Sequence, residues 1–223
     1  RREGAILPLG AIFRKPVIRE RITRGFFSPT NRPPKNVDEL MDDVDYYPEE
    51  YLNKLAHEGI NGLWLTMYFF DMPSTVFPEH GKDAPKRFAK LQKTVDKCAR
   101  YGIRIYVFFS EPKFFMDDFK PHAYPLDSAK DHPELIGLDL GRVGFFCTSS
   151  ETGKRYLQES VDQLFSNVPG LGGLINIMMG EDNGSCVAHM VQQKNPDATH
   201  CPVCSKRDFA DIYRELAELY ADT

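Results

Sequence analysis

This 223-residue chain contains four apolar runs of strand length, and a segment with helical periodicity follows each of them. We predict strands over residues 22–27, 62–70, 103–110 and 174–179. Continuous apolar runs are typical of parallel strands that are covered on both faces. Strands and helices that alternate in this way favour one parallel sheet with its helices outside.

The helices are predicted from the apolar stripes between these runs. Pro48 opens the first helix and Gly59 ends it, while Asp83 is a suitable cap for the second. A third apolar stripe precedes Pro169, and the last lies over residues 209–220. The pattern therefore contains four βα units.

Four βα units are half of an eightfold barrel, which usually takes about 250 residues. We therefore predict an α/β protein of the (β/α)8 TIM-barrel type, a partial barrel with about four units in this chain. The alternative is a small open α/β sheet. Residues 1–223 are predicted to form one domain, with a long loop over about 112–148 and a Cys/His loop over 183–204. Long loops inside compact domains are often lids or binding loops.

The composition argues against several classes of protein. A hydrophobic fraction of 42% and an aromatic fraction of 12% are typical of a globular protein. The formal net charge of −4 argues against a nucleic-acid partner, and no apolar run approaches the roughly 20 residues of a membrane helix. The compartment stays open, because the chain is compatible with the cytoplasm and with secretion after processing.

Two adjacent carboxylates follow the fourth predicted strand, in the run Met179-Gly180-Glu181-Asp182. Parallel α/β sheets place their chemistry at the carboxyl ends of their strands. Glu181 and Asp182 are therefore the predicted catalytic residues, with Glu181 as the acid and Asp182 as the orienting or stabilising carboxylate. The alternative is that both acids cap the next turn or face solvent.

Four further residues are predicted to bind the substrate. Arg24 belongs to the first strand, where a charge is costly unless it is paired. It is expected to bind substrate, to form an ion pair with Glu111 or Glu181, or to do both. Glu111 follows the third strand and Asn183 follows the acid pair, so both are candidates. Tyr68 is a candidate pocket residue whose alternative role is core packing.

A second group of residues with a recognisable spacing follows the acid pair. Cys186 and His189 form a C-x2-H pair, and Cys201 and Cys204 form a C-x2-C pair. Each pair can chelate one ion, and the four residues together are typical of a tetrahedral structural zinc site. The alternatives are a Cys201–Cys204 or Cys186–Cys204 disulfide, free thiols, His200 in place of His189, or a contact of His189 with substrate. Catalysis itself is predicted to need no cofactor.

The two remaining cysteines carry no comparable spacing. Cys98 lies on the apolar stripe of the second helix, and Cys147 precedes the third helix. A nucleophilic cysteine needs a base, and no neighbour of Cys147 in the sequence supplies one. Both residues are therefore predicted to be buried structural thiols.

Four segments occur in an order that resembles a known family. They are the run Arg24-Gly25-Phe26-Phe27, residues 61–65, residues 101–107 and the run that ends in the acid pair. Over about residues 21–182 they resemble the first half of the catalytic barrel of the family 20 glycoside hydrolases, the β-N-acetylhexosaminidases. The resemblance implies that Arg24 binds sugar hydroxyls. It also implies that the acid pair cleaves a glycosidic bond with help from the acetamido group of the substrate.

The chain departs from that family in three places. Its pair is Glu then Asp where the family has Asp then Glu, residues 66–69 lack the histidine and aspartates of the family, and no histidine follows Glu111. The resemblance implies a glycoside hydrolase that acts on an oligo- or polysaccharide. The alternatives are a non-catalytic carbohydrate-binding module and an interaction domain that is stabilised by zinc. We expect the remainder of the barrel, or a partner chain, to be needed.

Overall fold

The structure is a computed structural model that describes residues 15–25, 37–117, 123–179, 184–193 and 201–222. Within these ranges it contains two β-sheets and five α-helices, so the protein belongs to the predicted α/β class. None of the helices in these ranges combines the length and apolar character that a membrane crossing requires.

The main sheet contains four parallel strands in the order of the chain. They are β1 (Ile22–Arg24), β2 (Gly62–Thr66), β3 (Arg104–Phe109) and β8 (Gly173–Asn176), and each neighbours the next. All three pairings are parallel, as the apolar runs predict. The strands are shorter than the runs. After β2, for example, the backbone leaves the sheet and makes a 3-10 turn at Phe69–Asp71.

Four helices lie where the apolar stripes predict them. They are α1 (Glu49–His57), α2 (Ala84–Ala99), α3 (Glu151–Asn167) and α5 (Phe209–Ala221). Pro48 and Asp83 are the N-cap residues of α1 and α2, although the Asp83 side chain makes no capping hydrogen bond. Gly59 follows the end of α1 with a φ of 81°, a conformation that glycine adopts without strain.

The helices cover one face of the main sheet. On this face, β2 and β3 share one buried core with α1, α2, α3 and α5 through Leu63, Leu65, Ile105 and Val107. The opposite face is only half-buried where Trp64, Phe108 and Ile175 lie. The rings of Trp64 and Phe108 contact each other there, with their centroids 4.6 Å apart. The main sheet therefore has an apolar second face that no described helix covers.

The region predicted as a long loop over 112–148 contains a second sheet, which corrects that prediction. Its strands are β4 (Phe114–Phe115), β5 (Ala123–Tyr124), β6 (Ile136–Asp139) and β7 (Gly144–Phe146), in the order β5-β4-β7-β6. Phe115, Tyr124 and Phe146 are fully buried and join the core of the main sheet. These strands are too short to give a periodic signal in the sequence. The burial of the three rings in the main core holds the strands in place.

The predicted Cys/His loop over 183–204 is likewise partly helical. Its described part contains α4 (Cys186–Gln193), and a 3-10 turn follows at Cys204–Lys206. An apolar cluster separate from the main core surrounds this region and includes Leu138, Phe145 and Ile212. The second sheet, α4 and α5 thus enclose a small core of their own.

Candidate functional site

The four strands of the main sheet end at one edge, which we call the carboxyl edge. Parallel sheets carry their functional side chains at this edge. Of the predicted site residues, the structure brings Tyr68 and Glu111 together there. The backbone N–H of Phe69, the residue after Tyr68, donates a hydrogen bond of 3.0 Å to Oε1 of Glu111. Lys113 lies beside both, with its Nζ atom 5.3 Å from the centre of the Tyr68 ring.

Glu111 is fully buried, and both of its oxygens accept hydrogen bonds. Besides Phe69, the Lys113 N–H donates to Oε2 at 3.1 Å and the Tyr124 hydroxyl donates to it at 2.5 Å. The carboxylate therefore joins the ends of β2 and β3 to the second sheet. Glu111, a predicted substrate-binding residue, thus has its carboxylate enclosed by protein groups in the structure.

Burial also changes the acidity of this carboxyl group. The loss of solvent raises the pKa of Glu111, and the Lys113 ammonium and the hydrogen bonds from Phe69 and Tyr124 oppose that shift. Lys113 is itself 1% exposed. A buried cation and a buried carboxyl group thus lie side by side directly behind the carboxyl edge, where each lowers the cost of burying the other.

Arg24 lies at the end of β1 with its side chain exposed. Its guanidinium stacks over the ring of Trp64 in the neighbouring strand, 5.1 Å from the ring centre. The predicted ion pair with Glu111 does not form in the structure, because the Glu111 oxygens accept from other groups. Arg24 is therefore held by an aromatic face and presents its donors at the rim of the sheet.

Glu181, Asp182 and Asn183 lie outside the described residues. The chain on either side of them is described, and both flanks contact the segment at the end of β3. The N–H of Ile177 donates to the carbonyl of Phe109 at 3.2 Å. Gly184 packs so closely on the backbone of Pro112 that a Cβ atom would come within 1.6 Å of the Pro112 oxygen. The flanks of the acid pair are thus fixed beside Glu111.

Four buried thiols converge next to this edge. They belong to Cys147, Cys186, Cys201 and Cys204, and we call them the four-thiol group. Their sulfur atoms all lie within 4.8 Å of one another, close enough to bind one metal ion. The Cys147 sulfur is 3.7 Å from the sulfurs of both Cys201 and Cys204. All five cysteines of the chain are free, so none of the predicted disulfides is present.

Local backbone geometry brings these thiols together from three segments. Cys147 follows β7, Cys186 begins α4, and Cys201 and Cys204 lie in one tight turn in which the Cys204 N–H donates to the Cys201 sulfur at 3.4 Å. Gly137 in β6 completes the enclosure. A Cβ atom on Gly137 would lie 2.8 Å from the sulfurs of both Cys186 and Cys201, so only glycine leaves room for the group.

A cationic side chain lies behind the four-thiol group. The Ser149 hydroxyl contacts the Cys204 sulfur at 3.3 Å and accepts a hydrogen bond of 3.0 Å from Arg207 Nη1. Arg207 also forms an ion pair with Glu215 in α5. A centre of four thiolates and one divalent ion carries two negative charges, and this arrangement places a guanidinium near them.

The four-thiol group differs from the predicted ligand set in one residue. Cys147, predicted to be a structural thiol, takes the place of His189. The His189 ring instead packs on Phe145, with the ring centroids 4.3 Å apart. His200 lies outside the described residues. No spacing rule could have selected Cys147, because it lies far upstream of the other three and reaches them through the pairing of β6 with β7.

Comparisons with known proteins found no match. No protein-family model matches the chain, and no curated protein matches it.

Proposed function

We propose that this chain is the catalytic region of a glycoside hydrolase, built from four consecutive βα units of a (β/α)8 barrel. The observation that supports the barrel best is the arrangement of the main sheet, whose parallel strands neighbour one another in chain order. A doubly wound sheet reverses its strand order at a switch point and carries helices on both faces. Here the helices share one face.

The uncovered face of the main sheet fits the interior of such a barrel. Side chains on the inner face of a barrel pack against those of the other strands. Trp64, Phe108 and Ile175 occupy that face and remain half-buried. We propose that further strands, from the rest of the barrel or from a partner chain, complete the packing around them.

The proposed reaction is hydrolysis of a glycosidic bond in an oligo- or polysaccharide. Such cleavage needs an acid that protonates the leaving oxygen and a group that stabilises the oxocarbenium-like centre. We assign the first role to Glu181 and the second to Asp182, which orients the acetamido group of the substrate or acts in its place. Arg24 binds sugar hydroxyls at the rim. Tyr68, which stacks on Phe70 with ring centroids 4.8 Å apart, offers an aromatic surface beside them.

The proposed role of the four-thiol group is to hold a structural zinc ion. Four thiolates form a closed tetrahedral site, whereas catalytic zinc sites keep a position open for water. Cys186 is two residues from Gly184, which packs on Pro112 at the carboxyl edge. The ion would thus fix the chain that follows the acid pair to the start of α3 and to the turn at Cys201–Cys204.

Hydrolysis of a panel of aryl glycosides by the full protein tests the proposed function. We expect release of the aryl alcohol from at least one sugar, with N-acetylhexosaminides as the first candidates. Calorimetry against oligosaccharides separates the other outcomes. Binding without turnover would identify a carbohydrate-binding module, and the absence of both would leave an interaction domain.

Substitution of Arg24 tests its assignment to the substrate. In Arg24→Ala we expect kcat/KM for the best glycoside to fall about 10- to 100-fold, because a hydrogen bond from a charged donor contributes about 1.5–3 kcal/mol. Arg19→Ala is the matched control, since Arg19 is an exposed arginine that pairs with its neighbour Glu20. Equal kcat/KM values for the two variants would show that Arg24 does not bind the substrate.

Substitution of Gly137 tests whether the four-thiol group binds metal in its observed geometry. In Gly137→Ala the added methyl group would meet two sulfurs, and overpacking of this kind costs about 1–3 kcal/mol. We expect a weaker zinc affinity, measured by competition with a chromogenic chelator. Gly144→Ala is the control in the same sheet, where the atoms nearest to an added methyl group belong to the Ile136 side chain and not to a cysteine. An unchanged zinc affinity in Gly137→Ala would contradict the proposal that the four-thiol group binds zinc in its observed geometry.

A further inference from the structure

A chain of polar side chains runs through the core from the carboxyl edge toward the surface. It begins at Glu111, whose Oε2 accepts from the Tyr124 hydroxyl at 2.5 Å. The Tyr156 hydroxyl donates to the Tyr124 oxygen at 3.1 Å. The Tyr156 oxygen lies 3.4 Å from Nδ1 of His80. Four ionisable groups, from the segment after β3, from β5, from α3 and from the loop before α2, are therefore in continuous contact.

The exposure of these groups changes along the chain. Glu111, Tyr124 and Tyr156 are fully buried, whereas His80 is partly exposed. The ring of His80 packs on Phe77, with the centroids 4.7 Å apart, and this contact holds it against the buried end of the chain. Of these four side chains, His80 is thus the one that water reaches.

The hydrogen bonds also have one consistent direction. A tyrosine hydroxyl has one proton to donate. Tyr156 donates its proton to Tyr124, and Tyr124 donates its proton to Glu111. The Tyr156 oxygen then accepts from His80 when Nδ1 carries the proton. Every donor in the series points toward Glu111, which is the arrangement that stepwise proton transfer requires.

We propose that His80, Tyr156 and Tyr124 conduct protons between solvent and the buried carboxylate of Glu111. In the inward step, a solvent proton binds Nε2 of His80 and the Nδ1 proton passes to Tyr156. Tyr156 passes its own proton to Tyr124, and Tyr124 passes its proton to Glu111. The net change is one proton from water to the carboxylate, with both tyrosines and the histidine neutral again.

Glu111 would need such a path to exchange a proton, because its carboxylate is buried away from solvent. Burial raises the pKa of Glu111, and the Lys113 ammonium opposes that shift. Among the described residues, Tyr220 and Asp71, which forms an ion pair with Arg87, also act on this network. Burial lowers the pKa of His80 to about 4, so the histidine is neutral at rest and carries a second proton only during transfer.

The path would control the charge at the carboxyl edge. A proton on Glu111 removes the negative partner of Lys113 and changes the hydrogen bonds that join the ends of β2 and β3. This inference does not depend on the proposed hydrolase activity, because it concerns the protonation of Glu111 in the resting protein.

A pH jump followed by time-resolved infrared spectroscopy tests the path. The carbonyl stretch of protonated Glu111 is assigned by its loss in Glu111→Gln. In Tyr156→Phe, which keeps the ring and removes the hydroxyl, we expect this band to develop at least about tenfold more slowly. Tyr46→Phe is the matched control and should keep the original rate, because the Tyr46 hydroxyl bonds Asp42 away from the path.

A second variant covers the case in which Tyr156→Phe does not fold. His80→Phe removes the ring nitrogens at the partly exposed end and keeps an aromatic ring beside Phe77. We expect the same slowing in this variant. An unchanged rate in either folded variant would overturn the proposal. So would the absence of any Glu111 band between about pH 4 and pH 8, around the ordinary pKa of glutamate and above it.

Discussion

Replacement of Cys147 by serine is expected to release bound zinc and to lower the free energy of unfolding by about 4 kcal/mol or more. The Cys147 sulfur lies 3.7 Å from two other members of the four-thiol group, and the thiolate is the form that binds metal. Loss of one ligand opens a buried site and leaves three thiolates without their ion. Zinc content per chain and denaturant unfolding measure the two effects.

Two variants serve as controls for this result. His189→Ala should keep one zinc per chain, because the His189 ring packs on Phe145 and lies outside the four-thiol group. Cys98→Ser removes another buried thiol, in α2, and should also keep its zinc. The opposite result, in which His189→Ala loses its zinc and Cys147→Ser keeps it, would show that His189 and not Cys147 is the ligand, as the spacing predicts.

Replacement of Glu181 by glutamine is expected to lower kcat about 10²- to 10⁴-fold on a substrate whose leaving group must be protonated. Glutamine has the shape of glutamate but cannot give a proton. The loss should be smaller on aryl glycosides with acidic leaving groups, because these depart without full protonation. A steady-state comparison of alkyl and aryl glycosides measures this difference.

The parallel substitution Asp182→Asn distinguishes the two carboxylates. Asp182 is proposed to stabilise the reacting centre, so its loss should slow alkyl and aryl substrates by similar factors. Zinc content should be unchanged in both variants, which would show that neither substitution acts through the four-thiol group. Full activity of Glu181→Gln on an alkyl glycoside would exclude Glu181 as the acid.

The α/β class and the four parallel strands could be predicted from the sequence because their signals are local. The apolar runs that contain Leu63, Val107 and Leu174 are long enough to indicate covered strands, and Gly59 marks the end of a helix. The predicted ends of the strands were less accurate, because apolar residues such as Phe69 and Phe70 continue past the end of β2.

The second sheet could not be predicted, because its strands contain two to four residues each. Such strands are ordered by partners far away in the chain and not by their own periodicity. Phe115, for example, pairs with Gly144 and packs beside Tyr124. The same long-range pairing brings Cys147 into the four-thiol group, so the sequence did not indicate its place there.

Glu111 illustrates a different limit of sequence-based prediction. Its place after an apolar run correctly located it at the carboxyl edge. A strand-end glutamate that contacts substrate and one that is enclosed by backbone N–H groups and a tyrosine have the same local sequence. Only the packing of Phe69, Lys113 and Tyr124 around the carboxylate distinguishes them.

The most direct test is the rate of glycoside hydrolysis by the full protein as a function of its zinc content. Zinc is removed with a chelator and restored in steps, and Glu181→Gln is titrated in parallel. We predict that hydrolysis falls as zinc is removed, returns as it is restored, and stays negligible in Glu181→Gln at every zinc content. If the folded, zinc-loaded protein hydrolysed no glycoside, the proposal that Glu181 and Asp182 cleave sugars would be contradicted.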